Sequence, residues 1–127
     1  MPFVLWSLLL VAVLPLIWAG VSKAGVKYDN HKPREEAARA SGYRLRAGWA
    51  QQNAWEALPT YLAAVVAAWL MKVPLPEMNA AAAVFALARV AHGLLYVADQ
   101  ASLRSLAWLI GLLAVLYLFL RAGGVVG

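Results

Sequence analysis

Cysteine is absent, and histidine occurs only at His31 and His92. Without a thiol the chain forms no disulfide, carries no cysteine-ligated iron–sulfur cluster or c-type haem, and has no cysteine nucleophile. Two histidines with no HxxxH spacing leave no basis for a structural zinc site, so no metal is expected. Charge is scarce too. Charged residues make up 13% of the chain and hydrophobic residues 64%, against about 25% and about 45–50% in a soluble domain. With a mean hydropathy of +0.69, this composition excludes a disordered chain and argues against a water-soluble fold. At 127 residues the chain makes at most one domain. The net charge of +5 comes mostly from one loop beside an apolar run. Anionic lipid headgroups account for such a loop, and no nucleic-acid partner is expected.

What the chain does have is long apolar runs. A spanning helix needs about 20 largely apolar residues, and Phe3 to Val21 carries no charge at all. No Lys or Arg precedes Phe3, and the run exceeds the 7–15 residues usual in a signal peptide. It is therefore expected to be a retained span. Leu58 to Met71 has only 14 apolar-dominated residues. The preceding RAGWAQQNAWEA contains nothing that stops a helix before Pro59, so the second helix is expected to start near Glu35 or Ser41, with a polar first half. Asp29, Asn30 and Pro33 in YDNHKPRE read as a turn before a helix. Pro74 and Pro76 mark a short turn, and Asp99 to Ser102 a tight one. The expected spans are residues 3–21, 44–71, 78–98 and 103–120. The fold class is thus an all-α, multi-pass integral membrane protein, a four-helix up-down bundle.

Orientation follows from basic residues in short loops. The first loop carries Lys23, Lys27, Lys32, Arg34, Arg39, Arg44 and Arg46, and the third adds Arg104; the second has only Lys72. The basic first loop is expected to face the cytoplasm, with both termini outside. Trp6, Trp18, Trp55, Trp69, Trp108 and Tyr117 fit an aromatic belt or lipid-facing positions.

Two charges fall inside the apolar region, where each costs about 2.5–3.5 kcal/mol or more. Arg89 lies well within the third span, and Glu56 lies ten residues beyond Arg46. At 1.5 Å per residue both sit roughly 15 Å deep, so an ion pair between them is expected. At 100° per residue, Arg46, Trp49, Asn53 and Glu56 share a face of about 80° on the second helix. Phe85, Arg89, His92, Tyr96 and Asp99 form a stripe on the third. Any one of these alone reads as helix-to-helix glue. Together they point to a polar cleft for an anionic ligand. Arg104 and Ser105 read as the start of the fourth helix, where free N–H groups and the dipole favour an anion. An interfacial Arg that snorkels to the headgroups and a routine helix start are the alternatives those two residues leave open.

RAGWAQQNAWEALP on the second helix and RVAHGLLYVADQASLRS across the third and fourth resemble the MAPEG family, the membrane-associated proteins of eicosanoid and glutathione metabolism. The resemblance covers about Tyr28 to Leu120. Its second motif is similar to that of the prostaglandin E synthase and microsomal glutathione transferase branch. It implies a homotrimer with glutathione, as co-substrate, bound between subunits near the cytoplasmic side. It further implies glutathione contacts at Asn53, Glu56, Arg89, His92 and Tyr96, a thiolate stabilised by Arg104, and assistance from the Ser105 hydroxyl. One departure stands out: the eukaryotic motif has an Arg seven residues before the Glu, where this chain has Trp49. Arg46, ten before, is then the expected substitute anchor for a glutathione carboxylate. The RAxxAxxNxxE arrangement is similar to that of bacterial members, which implies a bacterial inner membrane.

Two functions of different classes follow. One is a glutathione-dependent transferase or peroxidase acting on a lipophilic electrophile that arrives from the bilayer. The other is a non-catalytic membrane protein that keeps the fold as a structural or interaction subunit, a reading the Trp49 departure favours. A transporter is disfavoured by the lack of broken helices or an inverted repeat.

Overall fold

A computed structural model describes all 127 residues and is helical throughout, without strands. Helix α1 runs over Phe3–Lys23, α2 over Pro33–Arg39, α3 over Gly42–Leu70, α4 over Leu75–Val97 and α5 over Ala101–Ala122. Helix α2 is short and signposted. Pro33 opens it, Glu35 and Glu36 lie in its first turn and Arg39 in its last, as the helix dipole favours. Before it, Asp29 Oδ1 accepts from the His31 N–H at 2.9 Å. Extended backbone at Ala40 and Ser41 breaks the helix, and Gly42 takes a φ of +58°. Of the two starts expected for the long second helix, the structure takes the one after Ser41.

Both tight turns use the same device. Helix α3 ends with the Val73 N–H on the Ala68 carbonyl and the Lys72 N–H on Trp69. Helix α4 ends with Gln100 on Leu95 and Asp99 on Tyr96. These are Schellman caps, which need a left-handed residue just past the helix; here Lys72 (φ 56°) and Asp99 (φ 60°) supply it. Asp99 therefore lies in the tight turn expected from the sequence, and of the expected α4 stripe it alone falls outside the helix.

Side-chain contacts fix the directions of the four long helices. Arg44 at the start of α3 donates Nε to the Ser22 carbonyl near the end of α1 (2.8 Å). Arg46 donates Nε to the Val97 carbonyl at the end of α4 (3.1 Å). The Val4 N–H at the start of α1 meets Asn79 Oδ1 at the start of α4 (2.9 Å). Arg121 near the end of α5 clamps Glu77 in the first turn of α4 with Nε and Nη2, and the Tyr117 hydroxyl joins them. So α1 and α4 run one way, α3 and α5 the other.

The larger apolar core packs Val4, Val11, Met78 and Leu118 around Tyr61. The Tyr61 ring stacks on Phe85 at 4.0 Å, and its hydroxyl shares a 2.6 Å hydrogen bond with Ser7 Oγ. At the other end Trp18 and Leu14 pack with Ala50 and Ala54, and the Trp18 ring lies directly over Gly93. Helices α1, α4 and α5 are each long and apolar enough to cross a membrane. Helix α3, at 29 residues, is long enough but does not meet that apolarity. Its first half carries Arg44, Arg46, Gln51, Gln52, Asn53 and Glu56.

Candidate functional site

The polar half of α3 faces the middle and end of α4 and the start of α5. Arg89 is only 4% exposed, and its Nη2 donates to Asn53 Oδ1 at 2.8 Å. The expected Arg89–Glu56 ion pair does not form. Asn53 and Glu56 are separated by roughly 60° around the helix, and Asn53 takes the side toward Arg89. The Glu56 side chain lies on the outer face of α3, where Gln52 Nε2 reaches its Oε1 at 3.5 Å. The two charges still share a cavity. A space of about 220 Å³ is lined by Asn53, Glu56, Thr60, Phe85, Arg89 and Trp108 among others. A second space of about 340 Å³ lies against Trp49, Gln52, Asn53, Glu56 and Tyr96. Asn53 and Glu56 border both.

Next to this cleft is an aromatic and cationic cluster. His92 is 3% exposed, meets Tyr96 edge-on at 5.5 Å, and leaves its Nδ1 buried without a hydrogen-bond partner. Tyr96 also faces Trp49, with ring centroids 6.3 Å apart. On the Tyr96 ring sits the Arg104 guanidinium, its Cζ 4.4 Å from the centroid, within the reach of a cation–π contact. Arg46, the substitute anchor, has its Nε on Val97 at the rim.

Arg104 and Ser105 do not begin α5. The helix starts at Ala101, and the Arg104 N–H is already bonded to the Gln100 carbonyl at 2.9 Å. The free N–H groups therefore belong to Ala101, Ser102 and Leu103, one turn earlier. The sequence reading misplaced them because no capping residue marks the start; Gln100 makes no side-chain cap. Ser105 is exposed and borders neither cavity. The structure thus gathers Arg46, Asn53, Glu56, Arg89, His92, Tyr96 and Arg104 at one end of the bundle; Asn53, Glu56, Arg89 and Tyr96 line the two spaces, while Arg46, His92, Arg104 and Ser105 do not. Sequence reasoning missed Gln52 and Thr60, which with Glu56 make an exposed polar row at i, i+4 and i+8 on α3. Their spacing was the available signal.

These features define an all-helical membrane protein with a cationic, aromatic-lined cleft between its helices. Residues 3–124 match the MAPEG family, nearly the whole chain, and the protein belongs to that family, which includes glutathione-dependent transferases and related proteins. No curated protein and no solved structure matches the chain.

Proposed function

We propose that the protein is a glutathione-dependent membrane enzyme that conjugates or reduces lipophilic electrophiles, working as a homotrimer of four-span subunits in a bacterial inner membrane. In this reading it falls with the prostaglandin E synthase and microsomal glutathione transferase branch. The basic first loop faces the cytoplasm and both termini face outside. The observation that carries the reading is the buried Arg89, tied to Asn53 in a cleft that also holds Glu56. Glutathione has two carboxylates and one ammonium group. Arg89 lines the cleft with Glu56 as its one carboxylate, and two further guanidinium groups stand beside it, Arg46 at the rim and Arg104 over the Tyr96 ring. The cations outnumber the two carboxylates by one, which leaves a charge for the thiolate, and Glu56 answers the ammonium group.

Bound here, glutathione supplies a thiol, whose reactive form is the thiolate. This chain's part is to favour that form and to orient it. Arg104, held over Tyr96, places a fixed positive charge beside the cleft in a membrane-shielded setting where charge acts over a longer range. That lowers a thiol pKa from about 8.5 toward neutrality. Arg89 and Arg46 bind carboxylates, and Glu56 accepts from the amine. Trp108 and Phe85 give the cleft an apolar wall suited to an electrophile arriving from the bilayer.

Arg104→Ala is expected to keep the oligomer but to lower turnover of a model electrophile about 100-fold, the low end for removing one electrostatic stabiliser. An unchanged rate removes Arg104 from the mechanism. The alternative, a non-catalytic subunit that keeps the fold, is favoured by Trp49 in place of the motif Arg and by the outward-lying Ser105. It predicts that glutathione gives the protein no thermal protection.

A further inference from the structure

A larger cavity adjoins this cleft and shares only Trp49 with it. Where the end of α1, helix α2 and the start of α3 meet, a space of about 460 Å³ is lined by 13 residues. That volume lies within the range of ligand pockets, about 300–1,000 Å³. Three of the lining residues are cations, Lys23, Arg34 and Arg44, and none is a carboxylate. Two of the cations are held in place without an acidic partner. Arg44 is fixed by its Nε on the Ser22 carbonyl, and the Lys23 ammonium sits over the Tyr28 ring at 4.9 Å. On α2 itself, Glu35 is engaged by Lys32 at 3.7 Å, and neither Glu35 nor Glu36 lines the cavity. One side of the cavity is apolar, formed by Ala19, Leu45 and Trp49. Lys23 and Arg44 flank it where the uncharged run of α1 gives way to the basic loop. The charged end of an apolar span belongs at a membrane–water interface.

We propose that this cavity is a phosphate-binding site, and that its ligand is the headgroup of an anionic phospholipid. Two guanidinium forks and an ammonium group with no competing carboxylate suit a phosphate oxyanion. The apolar side, continuous with α1, suits the start of an acyl chain. A bound headgroup would tie α2, through Arg34, to the junction of α1 and α3 that the Arg44–Ser22 and Tyr43–Ala24 hydrogen bonds already make. The site is independent of glutathione, and it leaves Arg46, Asn53 and Arg89 untouched.

The test uses the full-length protein in neutral detergent, titrated with phosphatidylglycerol, phosphatidylcholine or inorganic phosphate and read by native mass spectrometry and thermal shift. The variants are Lys23→Gln combined with Arg34→Gln, both exposed side chains, and Lys72→Gln at the opposite end of the bundle as control. Arg44 is kept because its Nε holds backbone. Wild type is expected to prefer phosphatidylglycerol to phosphatidylcholine. At about fivefold per basic residue, the double variant should bind phosphatidylglycerol roughly 25-fold more weakly, with Lys72→Gln unchanged. Protection by inorganic phosphate that the double variant loses, without a lipid preference, supports the phosphate site and makes its ligand a soluble one. Wild-type affinity of the folded double variant for both ligands overturns the proposal. So does an equal loss in Lys72→Gln, which would mark a general charge effect.

Discussion

An arginine 4% exposed among helices must be satisfied by its neighbours, because an uncompensated buried charge is strongly destabilising. Arg89 meets this need with a neutral amide, Asn53, and keeps its formal charge for the cleft. A carboxylate at the same place would cancel that charge. Asn53→Ala is therefore expected to lower stability by about 1.5–3 kcal/mol, the worth of a hydrogen bond to a charged group. Asn53→Asp should restore stability and weaken glutathione binding by neutralising Arg89. Thermal unfolding of both variants checks this, and a fully stable Asn53→Ala contradicts it. That Arg89 demanded a partner was legible in the sequence. Which partner was not: Asn53 and Glu56 lie on the same polar face, and only the packing of α3 against α4 decides between them. The same holds for His92 and Tyr96, whose shared stripe was legible, while the contact of Tyr96 with Arg104 depends on how α5 returns.

Among the elements, α3 shows how far pattern reading reaches. Its polar first half and apolar second half read as one helix, and it runs from Gly42 to Leu70 with Pro59 inside it. Its start was ambiguous because PREEAAR is itself a good helix, and the break rests on extended backbone at Ala40 and Ser41. The end of α4 was legible to a residue although its left-handed cap residue is Asp99 and not a glycine. Gly93 carries the clearest message about packing. A Cβ there would run into the indole of Trp18, which is itself buried at 5% exposure. Gly93→Ala must push α1 and α4 apart, and overpacking of this kind costs typically about 1–3 kcal/mol. The expected outcome is a lower melting temperature that the double variant Gly93→Ala with Trp18→Leu partly recovers. No recovery would mean that the two helices do not touch there.

For the whole molecule, the cleft is incomplete in a single chain. Its two spaces, about 220 and 340 Å³, both open on the outer face of α3, where Glu56 borders each. Gln52, Glu56 and Thr60 face outward from α3, and Glu56 facing lipid would meet the cost that keeps charges out of bilayers. A neighbouring subunit on this face would cover the row and close the cleft, which is the physical support for the proposed trimer. Composition alone made the membrane class legible; it could not show that α3 is the helix that gives up apolarity to build the site. The most direct test of the central claim is the thermal shift of the detergent-purified protein with millimolar glutathione, beside an analogue that lacks the thiol. A ligand of the folded state at a hundredfold excess over its Kd adds about 2.7 kcal/mol of stability. A clear upward shift with both compounds, lost in Arg89→Met, is the predicted result. No shift with either, in protein that is folded and assembled, contradicts the assignment of the cleft to glutathione.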